Sequence, residues 1–79
     1  MKNEQLRNFI KVVDCGSINK AAEQLYVSQP SLSRSIHSLE EEMGKELVIR
    51  SNRGVTLTPT GRLLYYYGRS ILEQFQVLE

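Results

Sequence analysis

Residues 29–35 read QPSLSRS, and they concentrate the recognition chemistry of this 79-residue chain. Three serines, a glutamine and an arginine supply donors and acceptors there, and no carboxylate is present to repel a polyanion. Gln29 can pair bidentately with adenine, Arg34 with guanine, and Pro30 can meet a thymine methyl. The hydroxyls of Ser28, Ser31 and Ser33, or the free N–H groups of a helix N-terminus, can hold phosphates or base edges. Taken alone, the same serines could simply cap a helix whose polar face is solvated.

A second cluster of charge lies further along. Between Leu47 and Leu72 the basic residues are Arg50, Arg53, Arg62 and Arg69, with no acid among them. Acids gather instead at Glu40, Glu41, Glu42 and Glu46, so the net charge of +1 conceals a segregated surface. Arg53 falls at the tip of a turn, where it could enter a minor groove. Arg50 and Arg62 could neutralise phosphates, although arginines at such places are commonly ordinary surface residues.

Other chemistries lack their parts. His37 is the sole histidine and Cys15 the sole cysteine, so neither a multi-ligand metal site nor an internal disulfide can be assembled. No GxxxxGK[ST], GxGxxG or HExxH occurs, no catalytic set converges, and no cofactor is expected. Seventy-nine residues build one small domain whose core would be consumed by an enclosing active-site cleft, which favours a binding module over an enzyme. Apolar residues at 41% and charged residues at 24% describe a folding chain, neither disordered nor membrane-spanning. The opening MKNEQLRNFIKVV has no apolar signal region, consistent with a cytoplasmic protein.

The elements that must position these residues are legible in the spacing. Leu6, Phe9, Ile10 and Val13 mark a helix over about 3–15, closed by Gly16. Ser17 caps a two-turn helix carrying Ile18, Ala21, Ala22 and Leu25. After Tyr26-Val27, Ser28 caps a third helix, about 28–43, with Pro30 in its first turn and Leu32, Ile36, Leu39 and Met43 inward. So short a link predicts a helix-turn-helix with this third helix as the recognition helix, its outer face carrying Pro30, Arg34, His37 and Glu41. ELVIR and VTLT, separated by SNRG, predict a β-hairpin whose turn occupies 51–54. Thr58-Pro59 starts a last helix with Leu64, Tyr67, Ile71, Phe75 and Leu78 along one side. A helix of that length reaches about 30 Å, more than so small a core needs, so part of the stripe should meet a second chain. Its periodicity continues to the last residue, which suggests a piece of a longer protein.

The segment LRNFIKVVDCGSINKAAEQLYVSQPSLSRSIHSLEEEMGKELVIRSNRGVTLTPTG resembles the N-terminal winged helix-turn-helix domain of LysR-type bacterial transcriptional regulators. The resemblance rests on GS before helix two, the AA pair, L-x-V-S-Q-P entering helix three, and the R-x-x-R-G-V-x-L-T-x-x-G wing and linker. It implies a mainly α fold: a three-helix core with a two-stranded wing over residues 1–58, followed by a linker helix over 59–79. It also implies sequence-specific binding of double-stranded DNA at an interrupted inverted repeat, with Gln29, Pro30, Ser33, Arg34 and Arg53 in contact. The linker helix would form a homodimer, with a tetramer as a further state of the full-length protein. A small-molecule effector would bind a C-terminal domain that this chain lacks. Val48, where the family usually has an aromatic, and the Tyr65-Tyr66-Tyr67 run depart from the pattern. The competing expectation is a protein-interaction module that uses its last helix and binds no duplex.

Overall fold

The apolar repeat beginning at Leu6 coils into α1, Asn3–Cys15, in this computed structural model, which describes residues 1–78. Gly16 ends the helix at φ 68° and donates its N–H to the Val12 carbonyl at 2.9 Å, a left-handed cap that glycine adopts without strain. Helix α1 packs against each of the three helices that follow and against the hairpin, so its buried face is wider than a single stripe. Val12, outside the expected set, is therefore fully buried, while Val13 is half-buried.

Ser17 accepts the Lys20 N–H at 3.3 Å and opens α2, Ile18–Leu25, whose Ala21 and Ala22 are small enough to be buried against α1. Tyr26 closes α2 at φ 58°, a left-handed conformation unusual for an aromatic. Ser28 then accepts the Ser31 N–H at 3.2 Å and starts α3, Gln29–Met43, and Pro30 sits where a missing N–H costs nothing. Leu32, Ile36 and Leu39 are almost wholly buried, each contributing about 1.5–3 kcal/mol. Met43 differs from expectation: it is 38% exposed, because the last turn of α3 runs beyond the core before stopping at Gly44.

The hairpin consists of β1, Val48–Ser51, and β2, Gly54–Leu57, antiparallel with Val48 opposite Leu57 and Ser51 opposite Gly54. Strand β1 begins two residues later than ELVIR because a side chain claims the flanking backbone, and β2, four residues long like VTLT, begins one residue earlier at Gly54. Glu40 accepts the Leu47 N–H at 2.7 Å and the Val48 N–H at 3.3 Å. At the far end, Thr58 Oγ1 accepts the Gly61 N–H at 3.0 Å and so caps the next helix. Gly54, at φ 113°, lies so close to the Gly16 carbonyl that any side chain would collide with it, and Val55 donates its N–H to the same oxygen at 3.0 Å. The wing is thereby seated on the α1–α2 turn.

Helix α4, Pro59–Leu78, docks through its small residues. Gly61 rests against the Leu47 carbonyl and Gly68 against the Leu6 side chain. Tyr65 donates its hydroxyl to Asp14 at 2.5 Å, and Arg69 Nη1 donates to Tyr65 Oη at 3.0 Å. That last bond raises the Arg69 pKa above the ordinary guanidinium value. Glu79, the end of the expected 59–79 segment, lies outside the described residues.

Candidate nucleic-acid interface

The cap at Ser28 aims the first turn of α3 outward, and Leu32, Ile36 and Leu39 fix its rotation by burying the opposite side. Gln29, Pro30, Ser31 and Arg34 are consequently exposed together, and Ser33 is half-buried on the flank facing the wing. Ser35 leaves the recognition set: it accepts a hydrogen bond from Asn8 Nδ2 at 3.2 Å and ties α3 to α1. Ser28 remains exposed, with its oxygen engaged by the cap.

The wing brings its arginines to two different places. Arg53 occupies the exposed two-residue turn with Asn52, its N–H donated to Ser51 Oγ at 3.2 Å. Arg50 shares the strand face of buried Val48, as the two-residue alternation of a strand requires, and points back toward α3. Its Nη1 donates to Ser33 Oγ at 2.6 Å. Arg50 also lines the cleft that Gln29, Ser17 and Asn52 form between wing and helices. Arg62 stands exposed in the first turn of α4, on a separate element.

The acids are disposed differently from a simple flank. Glu40 is turned inward onto the β1 backbone, while Glu41 pairs with His37 at 3.1 Å on the exposed face. Such an exposed contact is worth little energetically. The first two turns of α3 keep their cationic and polar character.

Helix α4 presents an apolar row at four-residue spacing: Leu63, Tyr67, Ile71 and Phe75, 60%, 59%, 57% and 46% exposed. Leu78 is exposed beyond it. Leu64, of the expected stripe, packs half-buried against the core of its own chain, as does Leu72. The reason is the glycine pair, which sets the inward face of α4 between Gly61, Leu64, Gly68 and Leu72. Leu63, which sequence spacing could have found four residues before Tyr67, belongs to the exposed row. Tyr66 and Tyr67 meet edge to face at 5.3 Å, and Tyr65 turns to Asp14, so the three adjacent rings divide between two directions.

Among the described residues, no helix is long and apolar enough to cross a membrane. Residues 3–62 match the family described as bacterial regulatory helix-turn-helix protein, lysR family. The chain is 47% identical over 74 residues to the nitrogen assimilation regulatory protein nac of Klebsiella aerogenes, covering 94% of this chain and 24% of that protein. It is 44% identical over 72 residues to the HTH-type transcriptional regulator BenM of Acinetobacter baylyi, covering 91% and 24%. The chain thus spans about a quarter of the length of these relatives. Its backbone superposes on the crystal structure of the BenM DBD/catB site 1 DNA complex with a TM-score of 0.95 at 41% identity, covering 99% of this chain and 88% of that one. The CbnR DBD–DNA complex gives 0.91 at 39%, covering 96% and 87%. With the winged helix-turn-helix, its exposed first turn and these matches together, the chain belongs to the lysR family of bacterial regulatory helix-turn-helix proteins.

Proposed function

We propose that this chain is the sequence-reading part of a transcriptional regulator, binding double-stranded DNA at an interrupted inverted repeat as a homodimer. Residues 1–58 form the reading head and α4 the dimerisation helix. The observation that carries this is the shared exposure of Gln29, Pro30, Ser31 and Arg34 on the first turns of α3, free of carboxylates and flanked by the wing. Gln29, Pro30, Ser33 and Arg34 read base edges in the major groove, Ser28 and Ser31 hold the backbone beside it, and Arg53 reaches the adjacent minor groove. Arg62 contributes a phosphate contact. The chain works by recognition, without catalysis, and its place is with the chromosome in the bacterial cytoplasm.

The relatives captured on duplex DNA support this assignment, as does the exposed row on α4, which a second copy would cover. Titration of the chain into palindromic and scrambled duplexes at several salt concentrations tests it. Tighter binding to a palindrome at every salt is expected, and equal affinity for both duplexes throughout would remove the claim. In sedimentation, Ile71→Glu is expected to shift the chain toward monomer.

A further inference from the structure

Resting on the DNA-binding assignment above, we propose that Arg50 is a positioning residue that makes Ser33 a hydrogen-bond donor toward the duplex, so that Ser33 rejects cytosine at the position it faces. A serine hydroxyl is ordinarily ambivalent, with one proton and two lone pairs, and can serve either a donor or an acceptor edge. Here the guanidinium of Arg50 donates to Ser33 Oγ at 2.6 Å. A charge-assisted bond of that kind occupies one of the two lone pairs and polarises the hydroxyl, and the nearby cationic charge opposes a second donor, so the proton becomes the group it offers more readily. In the major groove guanine, adenine N7 and thymine O4 present acceptors, whereas cytosine presents only the N4 amino donor. A donor-biased Ser33 accordingly suits any base except cytosine.

The placement of Arg50 is built into the fold. Strand alternation puts it on the inward face with Val48, and pairing with Val55 holds its backbone in the ladder. Glu40, about two helical turns beyond Ser33 on α3, clamps the entry to β1 through the Leu47 and Val48 N–H groups. Helix and strand are therefore held in one register, and the Arg50–Ser33 bond spans them. Residues 17 apart in the chain become a single recognition unit.

Selection from a duplex library with randomised half-sites, sequenced for the unaltered chain and for Arg50→Met, Arg50→Lys and Ser33→Ala, tests this. The unaltered chain should disfavour cytosine at one position of each half-site by roughly three- to tenfold, the scale of one hydrogen bond. Arg50→Met and Ser33→Ala should both lose that discrimination at that same position and leave the rest of the preference intact. Arg50→Lys, which keeps a cationic donor, should retain more of it than Arg50→Met. On the selected duplex, the salt dependence of Arg50→Met should match that of the unaltered chain. A preference unchanged in Arg50→Met, or a salt slope lowered by about one with equal weakening on selected and scrambled duplexes, would show Arg50 to be a plain phosphate contact and overturn the proposal. Enrichment of no sequence by the unaltered chain would instead overturn the DNA assignment and this proposal with it. Far-UV circular dichroism and thermal melting confirm that each variant is folded.

Discussion

Glu40, on the recognition helix, accepts the backbone N–H of Leu47 at 2.7 Å and so joins α3 to the first residue before the wing strand. A carboxylate that sequence position assigns to a distal, acidic flank is instead a structural strut. Glu40→Ala should release the Leu47 and Val48 N–H groups and destabilise the chain by about 1–3 kcal/mol. For a domain this size that lowers Tm by roughly 4–8 °C per kcal/mol. Glu40→Gln, which keeps a carbonyl acceptor, should recover most of the loss. Thermal unfolding of both variants checks this, and an unchanged Tm for the alanine variant contradicts the strut.

Gly61 and Gly68 should respond to one substitution with losses of different size. Glycine to alanine inside a helix ordinarily gains about 1 kcal/mol. At Gly61 the added methyl would strike the backbone carbonyl of Leu47, which cannot rotate away, so Gly61→Ala should destabilise by about 1–3 kcal/mol despite the propensity gain. At Gly68 the new carbon would lie 2.7 Å from Leu6 Cδ1, the end of a side chain that can shift, so the loss should be smaller. Denaturant titration ranks the two; a more harmful Gly68→Ala reverses this account of how α4 docks.

Tyr26 offers a stabilising change. It holds φ 58° and the residue is 95% exposed, so the side chain contributes little burial against its backbone strain. Tyr26→Gly should raise stability by about 0.5–1 kcal/mol, measured by the same titration, because the left-handed cap is retained and no core contact is lost. A drop in stability would mean that the ring makes contacts its exposure does not reveal.

Arg34 and Arg62 should separate in their effects on binding. Arg34→Ala should cost roughly 1–3 kcal/mol on a selected duplex and relax one base position. Arg62→Ala should weaken all duplexes alike and lower the salt slope by about one. Identical profiles for the two variants would contradict the division between base reading and phosphate contact.

Much of this molecule could be read directly from residue spacing. The four helices, the caps at Ser17 and Ser28, the glycine stops at Gly16 and Gly44, and the turn before Gly54 all emerge where expected. These features depend on interactions within about four residues, which local order in the chain specifies. The outward placement of Pro30, Arg34, His37 and Glu41 follows from the same periodicity, because burying Leu32, Ile36 and Leu39 leaves one side for solvent.

Three relationships depended on how the helices pack. Ser35 turning to Asn8, Glu40 to Leu47 and Arg50 to Ser33 each join different elements, and no local pattern encodes which polar group a neighbouring element will present. Likewise, periodicity along α4 identified an apolar side but could not divide it between the chain's own core and a partner. Close approach at Gly61 and Gly68 makes that division, drawing Leu64 and Leu72 inward and leaving Leu63, Tyr67 and Ile71 outside. The physical reason is distance along the chain: helix type is a short-range property, whereas the rotation of one packed helix against another is fixed by side-chain volumes brought together from far apart.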